Sequence, residues 1–235
     1  MRTIIFLLVL ISWEARTQDP MAEPNDYLKE IKEKLKIEWP NNRTINLVFH
    51  GHSVPAGYFK TPIVNTLDAY PFLVLKEIKE HYPNAVINII NTSIGGENSV
   101  SGAERFEAEV LVHKPDVLFL DYALNDAGIG LERSKEAWRS MIGKALDQKI
   151  KVILLTPSPD QRIDIMETDN VLGQHQKQIR QLAMENGVGL VDSYTLFQEK
   201  ALSGDSISKY MSQVNHPNKE GHKLIADEIL TYFQE

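Results

Sequence analysis

Five short apolar runs, set between stretches of helical spacing, limit what this chain can fold into. They are Ile45 to Phe49, Ala85 to Ile90, Asp116 to Asp121, Lys151 to Leu155 and Val188 to Val191. Each has the length and the Val/Ile/Leu content of a strand. Residues 71–81, 102–113, 132–147 and 169–185 read as the helices between them. In the third of these, Ala137, Trp138, Met141, Ile142 and Ala145 recur on one face. An N-terminal helix over about 26–38 puts Tyr27, Leu28, Ile31 and Leu35 together, and Pro40 ends it. Pro71 suits a first helical turn, Gly187 can close the helix before the fifth run, and a last helix covers about 221–233. Strands that are apolar throughout and alternate with helices form a parallel sheet covered on both faces. No repeat or linker interrupts the series, so residues 23–235 are expected to form a single αβα domain.

Composition narrows the function classes. Lys and Arg number 25 against 32 Asp and Glu, a formal charge of −7 that repels phosphate backbones and argues against nucleic-acid binding. There is no cysteine, which excludes a disulfide scaffold, a thiolate zinc site and a cysteine nucleophile. At the start, Met1-Arg2-Thr3 precedes the apolar run Ile4 to Ile11. That run is too short to span a bilayer, which takes about 20 residues. Residues 1–22 are read as a signal peptide, which implies a secreted or periplasmic protein without stable membrane insertion. Asn42-Arg43-Thr44 and Asn91-Thr92-Ser93 fit the glycosylation pattern, a triplet common by chance.

In open parallel sheets, ligands bind beyond the carboxyl ends of the strands. The first run exits into His50-Gly51-His52-Ser53, the second into Asn91 through Asn98, the third into Asp121 through Asp126. In the order 2-1-3-4-5 these three strands are neighbours. A hydroxyl, a Gly-rich turn and a carboxamide then converge. Asn215-His216-Pro217-Asn218, before the last helix, can bring an imidazole to the same edge. A serine becomes a nucleophile when a neighbouring base takes its proton and donors stabilise the oxyanion. Ser53 and His216 supply the pair; the amides of Ser53 and Gly96 and the side-chain NH2 of Asn125 supply the donors.

This set resembles the SGNH (GDSL-like) hydrolases, named for Ser, Gly, Asn and His in four blocks in that order. The blocks here are Gly51-His52-Ser53, Asn91 through Gly96, Leu124-Asn125-Asp126, and His216-Pro217-Asn218 through Gly221-His222, so the resemblance covers about 45–235. It implies a three-layer αβα sandwich with a five-stranded parallel sheet in the flavodoxin-like order 2-1-3-4-5. It implies a carboxylic ester hydrolase with Ser53 as nucleophile, His216 as base, and Gly96 with Asn125 in the oxyanion hole. Gly96 rather than Gly95 follows from aligning Asn91 with the Asn that opens the family's second block. Three positions depart from the family. His52 stands where Asp usually precedes the nucleophile, and Ala123-Leu124 where Gly usually precedes the third-block Asn. Gln213 occupies the place, three residues before the histidine, of the usual orienting acid. The site then works as a Ser53–His216 dyad with a carbonyl orienting the ring, takes an acid from elsewhere such as Asp205, or is slow.

Other residues carry plainer readings. Asp126 is expected to brace its loop, His222 to pack, and Asp192 to accept structural hydrogen bonds. Tyr58, Phe59 and Tyr122 are pocket walls or core. His50-x-His52 has metal-ligand spacing but lacks a third ligand, so neither a metal nor any other cofactor is expected. Thr156 through Thr168 reads as a long polar loop at the carboxyl edge, either a substrate-contacting rim or a plain surface loop, with the rim expected. The sequence points to a serine esterase removing small acyl groups, acetyl first, from a carbohydrate. Its rivals are a lipid-directed esterase or lysophospholipase, a catalytically silent carbohydrate-binding relative, and a flavodoxin-like cofactor binder. The last is disfavoured because the first loop, with Pro55 and Tyr58-Phe59, is a poor phosphate cradle.

Overall fold

The computed structural model describes residues 21–167 and 169–234; the leader expected over residues 1–22 lies almost wholly outside them. In chain order the main elements are α1 (Pro24–Tyr27), α2 (Lys29–Lys36), β1 (Thr44–Gly51), α3 (Ser53–Ala56), α4 (Tyr70–His81), β2 (Val86–Asn91), α5 (Ser99–Glu109), β3 (Val117–Asp121), α6 (Ala123–Asp126), α7 (Leu131–Asp147), β4 (Lys151–Leu155), α8 (Val171–Asn186), β5 (Gly189–Val191), α9 (Ser193–Leu202), β6 (Met211–Gln213), β7 (His216–Pro217) and α10 (Lys219–Leu230). Strands β1 to β5 form one parallel sheet in the order β2-β1-β3-β4-β5, and β6 and β7 pair separately.

The period of two along each strand sorts side chains between two cores. Leu47, Phe49, Val117, Phe119, Ile153 and Leu155 face one layer, where they meet α2, α4, α9 and α10. Val48, Leu118, Leu120, Val152 and Leu154 face the other, against α5, α7 and α8. Apolar residues at the first four positions of β3, Val117 to Leu120, are therefore the consequence of burial on both faces.

Short polar residues fix where the helices start. Asn98 accepts from Val100 N and Ser101 N, Asn170 from Gly173 N, Asp192 from Thr195 N, and Asn218 from Gly221 N. The Asn98 cap starts α5 at Ser99, three residues before apolar spacing alone suggests. Gly187, at φ 59°, closes α8 in the left-handed conformation. Among the described residues no helix is long and apolar enough to cross a membrane.

Two helical glycines should respond oppositely to a methyl group. A Cβ at Gly102 in α5 would lie 2.4 Å from the phenol oxygen of Tyr122, whereas one at Gly143 in α7 meets nothing within 4 Å. Gly102→Ala is expected to cost about 1–3 kcal/mol by overpacking. Gly143→Ala is expected to add about 0.5–1 kcal/mol through helix propensity. Urea unfolding midpoints of the two variants should move in opposite directions; shifts of the same sign would contradict this packing.

Candidate active site

Strand β1 delivers Ser53. A Cβ at Gly51 would stand 2.4 Å from the Asp121 carbonyl, so only glycine allows the end of β1 to lie this close to the end of β3. His52 N donates to that same carbonyl at 3.2 Å. His52 then caps α3, its Nδ1 accepting from Val54 N at 3.2 Å, and Gly57 ends the turn at φ 91°. Because Nδ1 accepts, the proton sits on Nε2, which lies 3.3 Å from Asp121 Oδ1 in an electrostatic contact without hydrogen-bond alignment. The other oxygen, Asp121 Oδ2, accepts from the Tyr70 hydroxyl at 3.0 Å. Ser53 is the first residue of α3, buried, and its N–H meets no protein acceptor among the described residues.

The β6–β7 hairpin delivers His216. Its Nε2 lies 2.9 Å from Ser53 Oγ, and its Nδ1 lies 3.2 Å from the Phe59 carbonyl. A carbonyl can only accept, so Nδ1 holds the proton and Nε2 is free to receive one from the hydroxyl. Burial pushes the His216 imidazole below its ordinary value; the Phe59 hydrogen bond opposes this, and the neighbouring His52 adds to it. The Phe59 carbonyl is itself held from two sides. Its ring stacks on His222 at 4.8 Å. Two residues on, Thr61 N donates to Gln213 Oε1 at 3.0 Å while Gln213 Nε2 donates to Thr61 Oγ1 at 3.4 Å. Gln213 thus engages the loop that presents the carbonyl, not the imidazole. Among the described residues no carboxylate takes the acid's place at Nδ1: Asp205 pairs with Lys209 and Tyr210, and Asp192 caps α9 and receives Thr156, Gln176 and Arg180.

The turn after β2 carries Gly96. Glu97 N donates to Ile94 O at 3.3 Å, and Gly96 adopts φ 83°, which explains glycine there. Gly95 backs onto the Tyr58 ring, and that ring lies 6.3 Å from the His216 ring, so turn, tyrosine and imidazole are neighbours. Asn125, in α6, donates one Nδ2 hydrogen to Glu97 O at 2.7 Å and keeps the second. The turn is anchored from behind: Arg105 donates to Glu97 Oε1 at 2.9 Å and to Thr92 O at 2.7 Å. Asn91 Nδ2 donates to Pro55 O at 2.6 Å, tying the start of the turn to α3. Asp126 accepts from Ser99 N at 2.8 Å and Trp138 Nε1 at 2.7 Å; burial raises its carboxyl while these bonds oppose the rise.

His50 and His222 have structural surroundings. His50 lies 2.9 Å from Thr92 Oγ1 and 3.0 Å from the Tyr122 hydroxyl, and burial lowers it to about 4. His222 is fully buried, accepts from Tyr70 N at 3.2 Å, and is lowered by burial to about 3. His50 and His52 therefore serve different partners, and no cluster of three metal-ligating side chains occurs among the described residues.

Ser53, His216, Gly96 and Asn125 all lie at one edge of the sheet: a hydroxyl in contact with a neutral imidazole, and the N–H groups of Ser53 and Gly96 and one Nδ2 hydrogen of Asn125, which meet no acceptor among the described residues. Comparison with known proteins finds the model of the GDSL-like Lipase/Acylhydrolase family matching residues 49–224. An acetylxylan esterase of Geobacillus stearothermophilus is 22% identical over 180 residues, covering 68% of this chain and 78% of that protein. The solved structure of a variant of Axe2, an acetyl-xylooligosaccharide esterase from the same organism, superposes with a TM-score of 0.72 at 21% identity, covering 85% of this chain and 97% of that one. A two-domain esterase active on acetylated mannans superposes with a TM-score of 0.71 at 22% identity; 89% of this chain matches 54% of that chain.

Proposed function

This chain belongs to the GDSL-like lipase/acylhydrolase family and is a carboxylic ester hydrolase of the SGNH type, and from that premise we propose that Ser53 and His216 form its nucleophile–base dyad and remove acetyl groups from a carbohydrate. The observation that carries the reading is the contact of 2.9 Å between Ser53 Oγ and His216 Nε2, with the far side of the ring against a carbonyl. In the first half-reaction the Ser53 proton passes to Nε2 as Oγ bonds to the ester carbonyl carbon. The resulting oxyanion accepts from the Ser53 amide, the Gly96 amide and the free hydrogen of Asn125 Nδ2. Collapse breaks the ester C–O bond, and the departing alcohol takes the proton from Nε2. Water then gives a proton to His216 and attacks the acyl-enzyme, and the second collapse releases acetic acid and restores the serine hydroxyl.

The Phe59 carbonyl takes over one of two tasks usually given to a carboxylate. It fixes the tautomer, so the imidazole presents an unprotonated Nε2. It stabilises the imidazolium less, because it carries a dipole and not a full charge. Replacing the acid by an amide in a serine protease costs about 10⁴ in turnover largely through the wrong tautomer; a carbonyl that can only accept avoids that loss. A base held below its ordinary value is also uncharged and ready at neutral pH. Acetylated carbohydrate as substrate is supported by the acetylxylan and acetylmannan esterases among the relatives.

Hydrolysis of 4-nitrophenyl esters tests the dyad. Ser53→Ala should lower kcat at least 10³-fold. In a series from acetyl to palmitoyl, the wild type should prefer acetyl. Equal rates for wild type and Ser53→Ala would remove the serine mechanism, and a palmitoyl preference would make the enzyme lipid-directed. The clamp on the Phe59 loop has its own test. Gln213→Ala should lower kcat about 10- to 100-fold through misplacement of the ring, with KM within about twofold. Gln213→Glu can still accept from Thr61 N and from the Thr61 hydroxyl, and should recover most of that loss. An alanine variant as fast as wild type would show that Gln213 holds nothing the reaction needs.

A further inference from the structure

Next to Asn125 the carboxyl edge of the sheet contains a cleft of about 370 Å³, lined by Asp160, Arg162, Ile163 and Leu172 and, at the His216 end, by Asn215. That size falls within the range of small-molecule sites. Its polar lining is built with unusual care for a surface loop. Asp160 is 7% exposed and Arg162 is 68% exposed, yet the two form a fork. Asp160 Oδ1 accepts from Arg162 Nε at 2.9 Å and from the Arg162 backbone N at 2.9 Å, while Oδ2 accepts from Nε and Nη2. A buried carboxylate paired with an arginine contributes little net stability, because desolvation offsets the attraction. What the pair does accomplish is to aim the guanidinium. The fork uses the Nε hydrogen and one on Nη2, so three of the five N–H donors remain for a ligand. They sit on a planar group already held in place, which lowers the entropy lost when it binds. Beside this loop, in the segment joined to it by the Gln161 N to Val214 O bond of 2.8 Å, the Asn215 carboxamide makes no hydrogen bond among the described residues.

We propose that this cleft holds the alcohol half of the ester, that this half is a sugar ring, and that the outer edge of Arg162 together with Asn215 selects it. The inference rests on the esterase reading above and adds the residues that choose the substrate. The acyl carbonyl oxygen has to lie at the oxyanion donors, and the alcohol oxygen has to face His216 Nε2, which returns its proton. Asn215 is the residue before His216, so the cleft adjoins the leaving-group side. An acetyl group has a single methyl beyond its carbonyl and no use for a guanidinium and a carboxamide. A pyranose has both needs of such a lining: hydroxyl oxygens for Arg162 and Asn215, and C–H faces for Ile163 and Leu172.

The test compares one acyl group on two alcohols, 4-nitrophenyl acetate and acetylated xylo-oligosaccharides. For Arg162→Ala, kcat/KM should fall at least tenfold further on the sugar ester than on the nitrophenyl ester, most of the difference appearing in KM. Asn215→Ala should lean the same way. Arg162→Lys keeps the charge but cannot fork with Asp160, so it should recover less than half of the lost selectivity. Arg139→Ala, at an exposed arginine of α7 paired with Glu185 of α8, should leave both rates unchanged. Melting curves identify any variant that fails to fold, and the remaining two cleft variants then decide. Equal losses on the two esters, or none on either, would overturn the subsite. Wild-type enzyme that cleaves the nitrophenyl ester but no sugar ester would overturn the sugar assignment while leaving the dyad standing. Cleavage of neither ester would overturn the dyad and the subsite together.

Discussion

The ladder from β2 through β1 to β3 brings three strand ends together: Phe49 lies beside Asn91, and Gly51 lies beside Asp121. Parallel strands all leave the sheet on the same side, so whatever follows β1, β2 and β3 must share one edge. Ser53, the Gly95-Gly96 turn and Asn125 are those followers. The separations are small enough for direct bonds between the exits: His52 N to Asp121 O, Asn91 Nδ2 to Pro55 O, and Asn125 Nδ2 to Glu97 O. The donors beside the serine are thus placed by backbone geometry and by buried side chains behind them, with little left to loop motion. Only His216 comes from far along the chain, and the cap of α10 at Asn218 fixes where its hairpin ends.

Replacing an acid by Gln213 changes how the imidazole is held without leaving it loose. The glutamine binds Thr61 at two points, and the Phe59 carbonyl two residues earlier meets Nδ1. His222 stacks on the Phe59 ring and accepts from Tyr70 N, whose hydroxyl in turn donates to Asp121. The carbonyl that meets His216 Nδ1 is therefore connected, through packed side chains, back to the end of β3. A neutral acceptor in a buried setting asks less desolvation than a carboxylate would. In the proposed mechanism it also leaves the imidazolium less stabilised, which would limit the ring's strength as a base.

The layers of this fold could be read from short strands apolar throughout and helical spacing between them, because both patterns reflect which faces are buried. The order of the strands and the four blocks came with the family resemblance, and the sheet has that order. Other features had no such signal. A backbone carbonyl is present at every residue, so nothing in the letters singled out Phe59 as the acceptor at His216. Helix α9 is flanked by other structure on several sides and lacks a clean apolar stripe, and the β6–β7 pair is too short for alternation to register. The start of α5 depended on one capping side chain, Asn98. His50 and His52 look alike in sequence, yet one is surrounded by Thr92, Gly102 and Tyr122 and the other lies against Asp121; only the ending of β1 between them separates their surroundings. The stretch of Asp160 and Arg162 was legible as a substrate-contacting rim, but nothing in the letters showed the fork between them.

The most direct test of the central claim is the rate at which diisopropyl fluorophosphate phosphorylates the protein as a function of pH, with the modified residue located by peptide mass spectrometry. The account predicts one diisopropylphosphoryl group, on Ser53. Its rate should be flat near neutrality and fall on acidification with a midpoint below about 6.5, the ordinary imidazole value, because protonation of the buried His216 removes the base. A label on another residue, no label, or a rate that does not fall between neutrality and about pH 4 would contradict it.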